Sequence, residues 1–476
     1  MGEEVELKLE VAASAADGLQ SVSGLGSEWA SQSQESVYFD THDRDVRRLG
    51  CTLRVRRIGE RFIQTVKSLE SGAGLFQRGE WEYEIGGPEP NRDRLAHTPL
   101  ARLGAAKLTP LLSSAVTRRS LRLRNAGALI EIVVDEGEMR AGRRALPLCE
   151  IELELIDGGA AAVFELAQRI AAHVPVRLGV VSKAERGFAL ADGRLGKVVK
   201  AEPIVVRDDM IVADGFAAIL AACVRHFRLN EPVVIERRLP DALHQARVAM
   251  RRLRSAFSLF RPAIADAEFA RLREELRWFT GELGEARNLD VFLGRETQSS
   301  ERRPLQARRE AAYDRVVAAM ESQPVRMLML DLVAWSMLGE WRRHVDAQLP
   351  LEEYVSHRID RLWRRIAHAR DLEDMHDEAR HRLRIEVKKL RYALEFMQAL
   401  YAHERERQRR FARAVEALQE ALGELNDVVV ARSLVESDAW PIAPEEPSER
   451  ERALLRDSED ALHHVRRIGP YWRDGA

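Results

Sequence analysis

Three charged residues near the start of the chain, Glu4, Glu6 and Lys8, alternate with Val5, Leu7 and Leu9. On an extended strand successive side chains point to opposite faces, so the two carboxylates and the ammonium share one face. The alternation recurs with Arg54 and Arg56 in LRVRR, Glu80, Glu82 and Glu84 in GEWEYEI, and Arg118, Ser120, Arg122 and Arg124 in RRSLRLR. It returns with Glu131 and Asp135 in IEIVVDE and with Glu150, Glu152 and Glu154 in CEIELEL. Carboxylates two positions apart suit hard divalent cations such as Mg2+ or Mn2+, which prefer oxygen ligands. Arg and Lys suit phosphate oxygens, arginine through its planar fork. A site holding both is built for a metal-bound phosphate chain. No His and Cys cluster accompanies them, which argues against zinc.

Two arrangements would position these residues. One is a sheet with water on its charged face. The other is a barrel with a charged lumen and an apolar outer wall covered by helices. Enclosing opposite charges is costly unless they pair with one another or with a ligand and metal. The barrel therefore implies a function and the wet sheet does not.

The second half of the chain reads differently. HQARVAMRRLR begins at His244 and HRLRIEVKKLR at His381. On a helix, positions i, i+3, i+7 and i+10 fall within an arc of roughly 80°. His244, Arg247, Arg251 and Arg254 share such an arc, as do His381, Arg384, Lys388 and Arg391. The adjacent bases Arg252 and Lys389 are counted with them. Neither arc holds an acid at these positions to offset like-charge repulsion. Each helix is followed by a related phrase, LGEARNLDV and LGELNDVVV, so the half is read as an internal repeat with two helices serving one anion site. Trp278, Trp335, Trp341 and Trp363 read as core anchors, His226 as a core or surface residue, and ETQSSERRPLQ as a polar loop.

The bulk properties fit two domains. The chain has 476 residues and a net charge of −2, so any charged function comes from local segregation of signs. Cys51, Cys149 and Cys223 lie far apart without metal spacing, as in a reduced compartment. The acidic, alternating N-terminus is not a signal peptide, and no apolar run approaches a membrane span. The expectation is a cytoplasmic protein with no membrane partner. Strand-like alternation with Gly/Pro punctuation fills residues 1–192, a linker occupies 193–213, and helical periodicity fills 214–476.

The first part resembles the CYTH family of triphosphate tunnel metalloenzymes. The resemblance rests on EVELK, YFDT, LRVRR, TVK, QRGEWE, TRRS, DEG, EIELE and SKAERG in that order, over residues 2–192. It implies an α+β domain, an eight-stranded antiparallel tunnel barrel with flanking helices, that hydrolyses triphosphate compounds with Mg2+ or Mn2+. Carried onto this chain, it gives Glu4, Glu6, Asp135, Glu152 and Glu154 as metal ligands. It gives Lys8, Arg54, Arg56, Lys67, Arg118, Lys183 and Arg186 as triphosphate ligands. Arg119 is the alternative to Arg118, because a slip of one residue exchanges the two faces. Glu150 is left between metal binding and pairing with a base. Glu4, Glu6 and Lys8 form the expected catalytic set, with Glu4 or Glu6 orienting the attacking water.

The second part resembles the CHAD domain over residues 214–475, on the two His-led basic helices and the two LGE phrases. That resemblance implies an all-α domain of two pseudo-symmetric antiparallel bundles binding inorganic polyphosphate through His244, Arg247, Arg251, Arg252, Arg254, His381, Arg384, Lys388, Lys389 and Arg391. The leading expectation is an inorganic triphosphatase with a polyphosphate-binding domain. The alternatives are a non-catalytic, granule-associated polyphosphate binder and adenylate cyclase chemistry in the tunnel. Nucleic acid is disfavoured, because no aromatic residues interleave with the bases to stack nucleotides. Oligomeric state is left open.

Overall fold

The computed structural model describes residues 2–26, 28–68, 75–295, 299–437 and 449–473. Among the described residues, nine strands form one sheet: β1 (Gly2–Glu10), β2 (Ala30–Asp40), β3 (Cys51–Ile58), β4 (Arg61–Ser68), β5 (Leu75–Ile85), β6 (Thr109–Asn125), β7 (Ala128–Ala141), β8 (Arg144–Asp157) and β9 (Arg177–Leu178). All the pairings are antiparallel, in the order β5-β4-β3-β2-β6-β7-β8-β1-β9. The sheet also curls back on itself. One edge of β1 pairs with β8 over Glu6–Glu10, and the other pairs with β5 over Gly2–Leu7 and then with the short β9. The tunnel barrel is thus the arrangement found, with β9 as an addition to the expected eight strands.

The period-2 pattern explains which face went in. Leu7, Leu9, Leu53, Val66, Ile130, Ile132, Ile151 and Leu153 are fully buried on the outer wall. The helix Ala161–His173 packs its own buried face, including Val163, Leu166 and Ile170, onto β1 and β8. Burying one such side chain contributes roughly 1.5–3 kcal/mol. The β6–β7 hairpin turns through Ala126 and Gly127, both at positive φ (45° and 79°), the pair of left-handed residues that a two-residue turn of this twist requires. That turn sets the register that places Arg118 opposite Asp135.

Beyond the sheet the chain is helical. Val212–Arg237, Pro240–Ile264 and Ala267–Arg295 are answered in the same order by Leu351–Ala367, Asp377–Phe396 and Arg405–Ser437, as a repeat requires. Ser299–Glu321 is helix, so the expected polar loop is not one from Ser299 onward. The chain divides into two compact units. One comprises Met1–Ala201, Ala221–Met250 and Arg271–Gly339; the other comprises Glu202–Leu220, Arg251–Ala270 and Glu340–Ala476. The first therefore joins helical segments to the tunnel. Its helices are tied on by polar contacts, such as Gln168 Nε2 donating to Asp331 at 2.7 Å, and carry an aromatic core at Phe227–Phe279 (5.3 Å). In the second unit Phe216 meets Phe257, Phe260 and Trp341 at 5.8, 5.5 and 5.4 Å. Trp335, Trp341 and Trp363 are core residues as expected, and His226 is buried. Trp278 is 42% exposed, because Phe279 beside it takes the inward direction.

Candidate active site and basic helices

Register alone assembles the tunnel lining. Lys8 of β1 lies opposite Glu152 of β8, Glu10 opposite Glu150, and Glu6 opposite Glu154. Across the next ladder Asp135 lies opposite Glu150, and across the one after it Arg118 opposite Asp135. The helix Lys183–Ala191 adds two cations one turn apart. Ser182 starts it with a reciprocal capping box, its hydroxyl accepting from the Glu185 backbone while Glu185 accepts from its own.

The side chains close into a network. Lys8 Nζ pairs with Glu6 and Glu152 and stands 3.9 Å from Glu150. Lys183 Nζ lies 2.6 Å from Asp135, 2.6 Å from Glu150 and 2.8 Å from Glu152. Arg118 donates from Nε and Nη2 to the two oxygens of Asp135 at 2.8 and 2.6 Å, and from Nη2 to Glu152 at 3.1 Å. Arg186 reaches Glu10 and Glu150, both at 3.4 Å. Glu6, Lys8, Asp135, Glu150 and Glu152 are all nearly solvent-free.

Burial alone would push the Asp135 and Glu152 carboxylates up and the Lys8 and Lys183 ammonium groups down. The pairing reverses both. Asp135 is held at about 2 against burial by Lys183 and Arg118. Glu152 is held well below the usual carboxylate range against burial by Lys183, Lys8 and Arg118. Against burial, Glu152, Glu6 and Glu150 raise Lys8, and Asp135, Glu150 and Glu152 raise Lys183.

The cations on β3 lack such neutralisation. Arg54 Nε is buried without a hydrogen-bond partner. Arg56 makes one long hydrogen bond, 3.4 Å to the Ser36 hydroxyl. Burial first, then Arg54 and Arg118, push Arg56 down to about 9. Guanidinium does not deprotonate in proteins, so the shift measures unmet positive potential rather than a neutral arginine. Two half-buried, poorly satisfied arginines beside a carboxylate cluster fit an anion. Glu6, Asp135, Glu150 and Glu152 offer carboxylate oxygens, the ligand type a hard divalent cation takes, and each is paired here with a lysine.

The remaining residues expected in the tunnel are placed as follows. Glu154 is half-buried on β8 opposite Glu131. Lys67 pairs with Glu80 at 3.2 Å across the β4–β5 ladder. Arg119 lies 3.9 Å from Asp17, so Arg118 is the inward member of that pair. Glu4 lies on β1, with its side chain outside the described residues.

In the helical half His244 and Arg247 occupy the first part of their helix, Arg247 donating to the Thr280 carbonyl at 3.5 Å. Arg251 and Arg254 follow on the same face. Arg251 donates from Nε to the Tyr392 hydroxyl and lies over its ring at 5.6 Å. Arg391 lies over the same ring at 4.9 Å, so one arginine from each copy of the repeat meets at Tyr392. His381 Nδ1 lies 2.9 Å from the Asn426 side-chain oxygen, which belongs to the second LGE phrase. Arg384 and Lys388 share the His381 face and are half-buried. Lys389 pairs with Glu386 at 2.7 Å. Arg252 departs from its expected place. It is 1% exposed and pairs with Glu395 at 2.9 Å, because its neighbour Arg251 takes the surface direction about 100° away on the helix.

Comparison with known proteins bears on both halves. The CYTH domain family matches residues 2–188 and the CHAD domain family matches residues 218–436. The chain is a CYTH domain followed by a CHAD domain. A relative from Haemophilus influenzae named inorganic triphosphatase is 26% identical over 158 residues, which cover 33% of this chain and 45% of that protein. The chain thus spans less than half the length of that relative. The CHAD domain from the plant Ricinus communis is 30% identical, covering 56% of this chain and 91% of that structure with a TM-score of 0.45. A Hippeastrum protein described as an adenylyl cyclase candidate with a dominant triphosphatase activity is 20% identical, covering 40% of this chain and 97% of that one with a TM-score of 0.32.

Sequence reasoning left several residues of the CYTH and CHAD domains without a role. Glu150 is central to the network rather than peripheral. Glu10 continued the alternation of Glu6 and Lys8, which was a usable signal. Tyr392 and Asn426 gave none, since each depends on what the fold brings to it. A pocket in the CHAD domain is lined by Ser255, Ser258, Arg358, Arg361, Arg365 and Lys389, and three of those bases come from Leu351–Ala367, a helix outside the two expected ones. Among the described residues, no helix is long and apolar enough to cross a membrane.

Proposed function

We propose that the CYTH domain hydrolyses inorganic triphosphate or a related triphosphate compound with a divalent metal, Mg2+ or Mn2+, and that the CHAD domain binds inorganic polyphosphate. One observation carries the first part: carboxylates that suit a metal and cations that suit phosphate neutralise one another in one enclosed network, beside two arginines that are poorly satisfied, Arg54 at Nε and Arg56 with one long hydrogen bond. The CYTH membership and the triphosphatase name of the Haemophilus influenzae relative support it.

Phosphoryl transfer to water asks mainly for positioning and neutralisation. Lys8, Arg118, Lys183 and Arg186 exchange their carboxylate partners for the non-bridging oxygens of the phosphate chain, and Arg54, Arg56 and Lys67 receive the remaining oxygens. Glu6, Asp135 and Glu152, with Glu4 and Glu154 further along β1 and β8, are then released to hold metal. A divalent cation in that carboxylate set would neutralise charge on the phosphate chain and activate water. Glu6 or Glu4 orients the attacking water. Enclosure by the barrel keeps these charges in a low-dielectric setting, where each contact counts for more than in bulk water.

The polyphosphate reading of the CHAD domain rests on the basic faces led by His244 and His381 and on Arg251 and Arg391 flanking Tyr392. A panel of tripolyphosphate, ATP, thiamine triphosphate and long polyphosphate, each with Mg2+ or Mn2+ and with Glu6→Gln as control, tests the enzyme. Absence of phosphate release by the wild type from every combination sinks the triphosphatase reading. Polyphosphate binding by the full chain, competed with RNA at fixed salt, tests the CHAD assignment.

A further inference from the structure

Glu10 is a carboxylate of the tunnel network to which no metal or phosphate role falls. It ends β1 opposite Glu150, two residues beyond Lys8. Its two oxygens go to two different guanidinium groups. Oε1 lies 3.4 Å from Nη2 of Arg186, and Oε2 accepts from Nη2 of Arg228 at 2.9 Å.

Arg228 comes from the helix Val212–Arg237, in a segment that folds in one unit with the tunnel. Its side chain is 2% exposed. Nε donates to the Leu178 carbonyl of β9 at 2.8 Å, and Glu231, one turn further along the helix, pairs with Nη1. The hydrogen bond from Nε to the carbonyl holds the guanidinium with Nη2 toward Glu10. β9 is itself fixed, since Leu178 pairs with Leu9 and the Gly179 backbone N–H donates to the Lys8 carbonyl at 2.8 Å.

Arg186 is left with loose contacts, 3.4 Å to Glu10 and 3.4 Å to Glu150, whereas Lys183 beside it is held at 2.6–2.8 Å by three carboxylates. A charge-assisted hydrogen bond at 2.9 Å is much stronger than one at 3.4 Å. Glu10 therefore belongs mainly to Arg228. We infer that Arg228 is a positioning residue for Arg186: by holding Glu10, it keeps that carboxylate from capturing Arg186 and leaves Arg186 free to grip a phosphate oxygen. Burial, with Arg177 and Arg186, pushes Arg228 down to about 10 against the pull of Glu10, the one acid that raises it. The inference rests on the triphosphate reading of the tunnel. It gives the helical part a direct hold on the substrate site, through a residue lying outside the segment that the CYTH family matches.

The test uses the full chain with tripolyphosphate and Mg2+. Arg228→Met frees Glu10 to close on Arg186. Its KM is expected to rise about tenfold with kcat changed by less than about threefold, the loss of roughly one charge-assisted contact. Removing the competing carboxylate in Arg228→Met/Glu10→Gln is expected to return KM to within about threefold of wild type. An unchanged KM in Arg228→Met overturns the inference. So does a double variant that recovers the wild-type Tm but keeps the raised KM, since Glu10 is then not the group that holds Arg186. If Arg228→Met does not fold, Glu10→Gln alone carries the test. With no carboxylate to capture Arg186, its KM falls or stays level, and a rise beyond about threefold overturns the proposal. Failure of the triphosphatase reading appears separately, as a wild type that releases no phosphate. In that case tripolyphosphate affinity by calorimetry reads the same four proteins, and equal affinities in wild type and Arg228→Met reject the positioning role.

Discussion

Arg118 and Asp135 face each other across the β6–β7 ladder and share two parallel hydrogen bonds, 2.8 Å from Nε to Oδ1 and 2.6 Å from Nη2 to Oδ2. The planar fork matches a carboxylate and would match two oxygens of one phosphate equally well. Lysine in its place keeps the charge and loses the fork. Arg118→Lys is expected to raise the KM for tripolyphosphate about tenfold while leaving the metal concentration for half-maximal activity within about twofold. Steady-state kinetics at varied substrate and varied Mg2+ check this. An equal loss in both measurements would show that Arg118 acts through Asp135 on the metal side instead.

The depressed carboxylates make stability depend on acid. Asp135 has a folded value of about 2 and Glu152 also lies well below its usual range, in both cases because neighbouring cations overcome burial. Each therefore contributes stability above its unfolded pKa of about 4, and that contribution disappears as pH falls toward the folded value. For Asp135 alone this amounts to about 2 kcal/mol. Lys8 and Lys183 have raised values, so their contributions are complete below a pH of about 10 and do not change in the acid range. The melting temperature should stay level from about pH 7 to 5 and fall from about pH 4 to 2. Asp135→Asn should start lower at neutral pH and fall less on acidification. A slope in Asp135→Asn as steep as that of wild type would rule out this assignment.

Arg54 and Arg56 are placed at a cost to the free protein. Arg54 Nε is buried without a partner, and Arg56 meets burial and two like charges. Replacing either by Met removes buried positive charge without removing a paired acid. Arg56→Met is expected to raise the melting temperature of the free chain by a few degrees, roughly 1 kcal/mol, while shrinking the shift produced by tripolyphosphate and Mg2+. Thermal denaturation with and without ligand reads both effects. A lower free-state melting temperature would show that Arg56 is satisfied in the native protein.

How much of this could be read from the sequence depends on range. Glu6, Lys8, Arg118, Asp135 and Glu152 were legible because strand alternation is local and the charged face repeats from strand to strand. Tunnel closure was not, because the β1–β5 pairing joins Leu7 to Leu75 and no local pattern specifies it. Lys183 and Arg186 sit on a helix, where the period-2 signal vanishes, and only the family resemblance pointed to them. Arg228 left no trace, since its partner Glu10 lies 218 residues away and its own helix shows only ordinary apolar periodicity. Arg252 was grouped with Arg251 because the two are adjacent in sequence, although adjacent helical residues point about 100° apart.

That last difference separates two neighbouring arginines by experiment. Arg251 is half-buried and donates to the hydroxyl of the buried Tyr392, with Arg391 on the same ring, and Arg252 is buried against Glu395 with Phe396 5.7 Å beneath its guanidinium. Arg251→Ala should weaken binding of long polyphosphate several-fold and make it less sensitive to salt, because one cation fewer engages the polyanion. It should cost about 1 kcal/mol of stability, because the buried Tyr392 loses the donor to its hydroxyl. Arg252→Ala should leave binding unchanged and act on stability alone. It removes packing from the core and leaves Glu395 without its partner, a loss of roughly 1–3 kcal/mol once the partial exposure of Glu395 is allowed for. The salt slope of binding should stay at the wild-type value. Fluorescence titration with polyphosphate at a series of salt concentrations, set beside urea unfolding of the same proteins, decides the matter. Equal losses of affinity in the two variants, at equal stability, would return Arg252 to the anion-binding face.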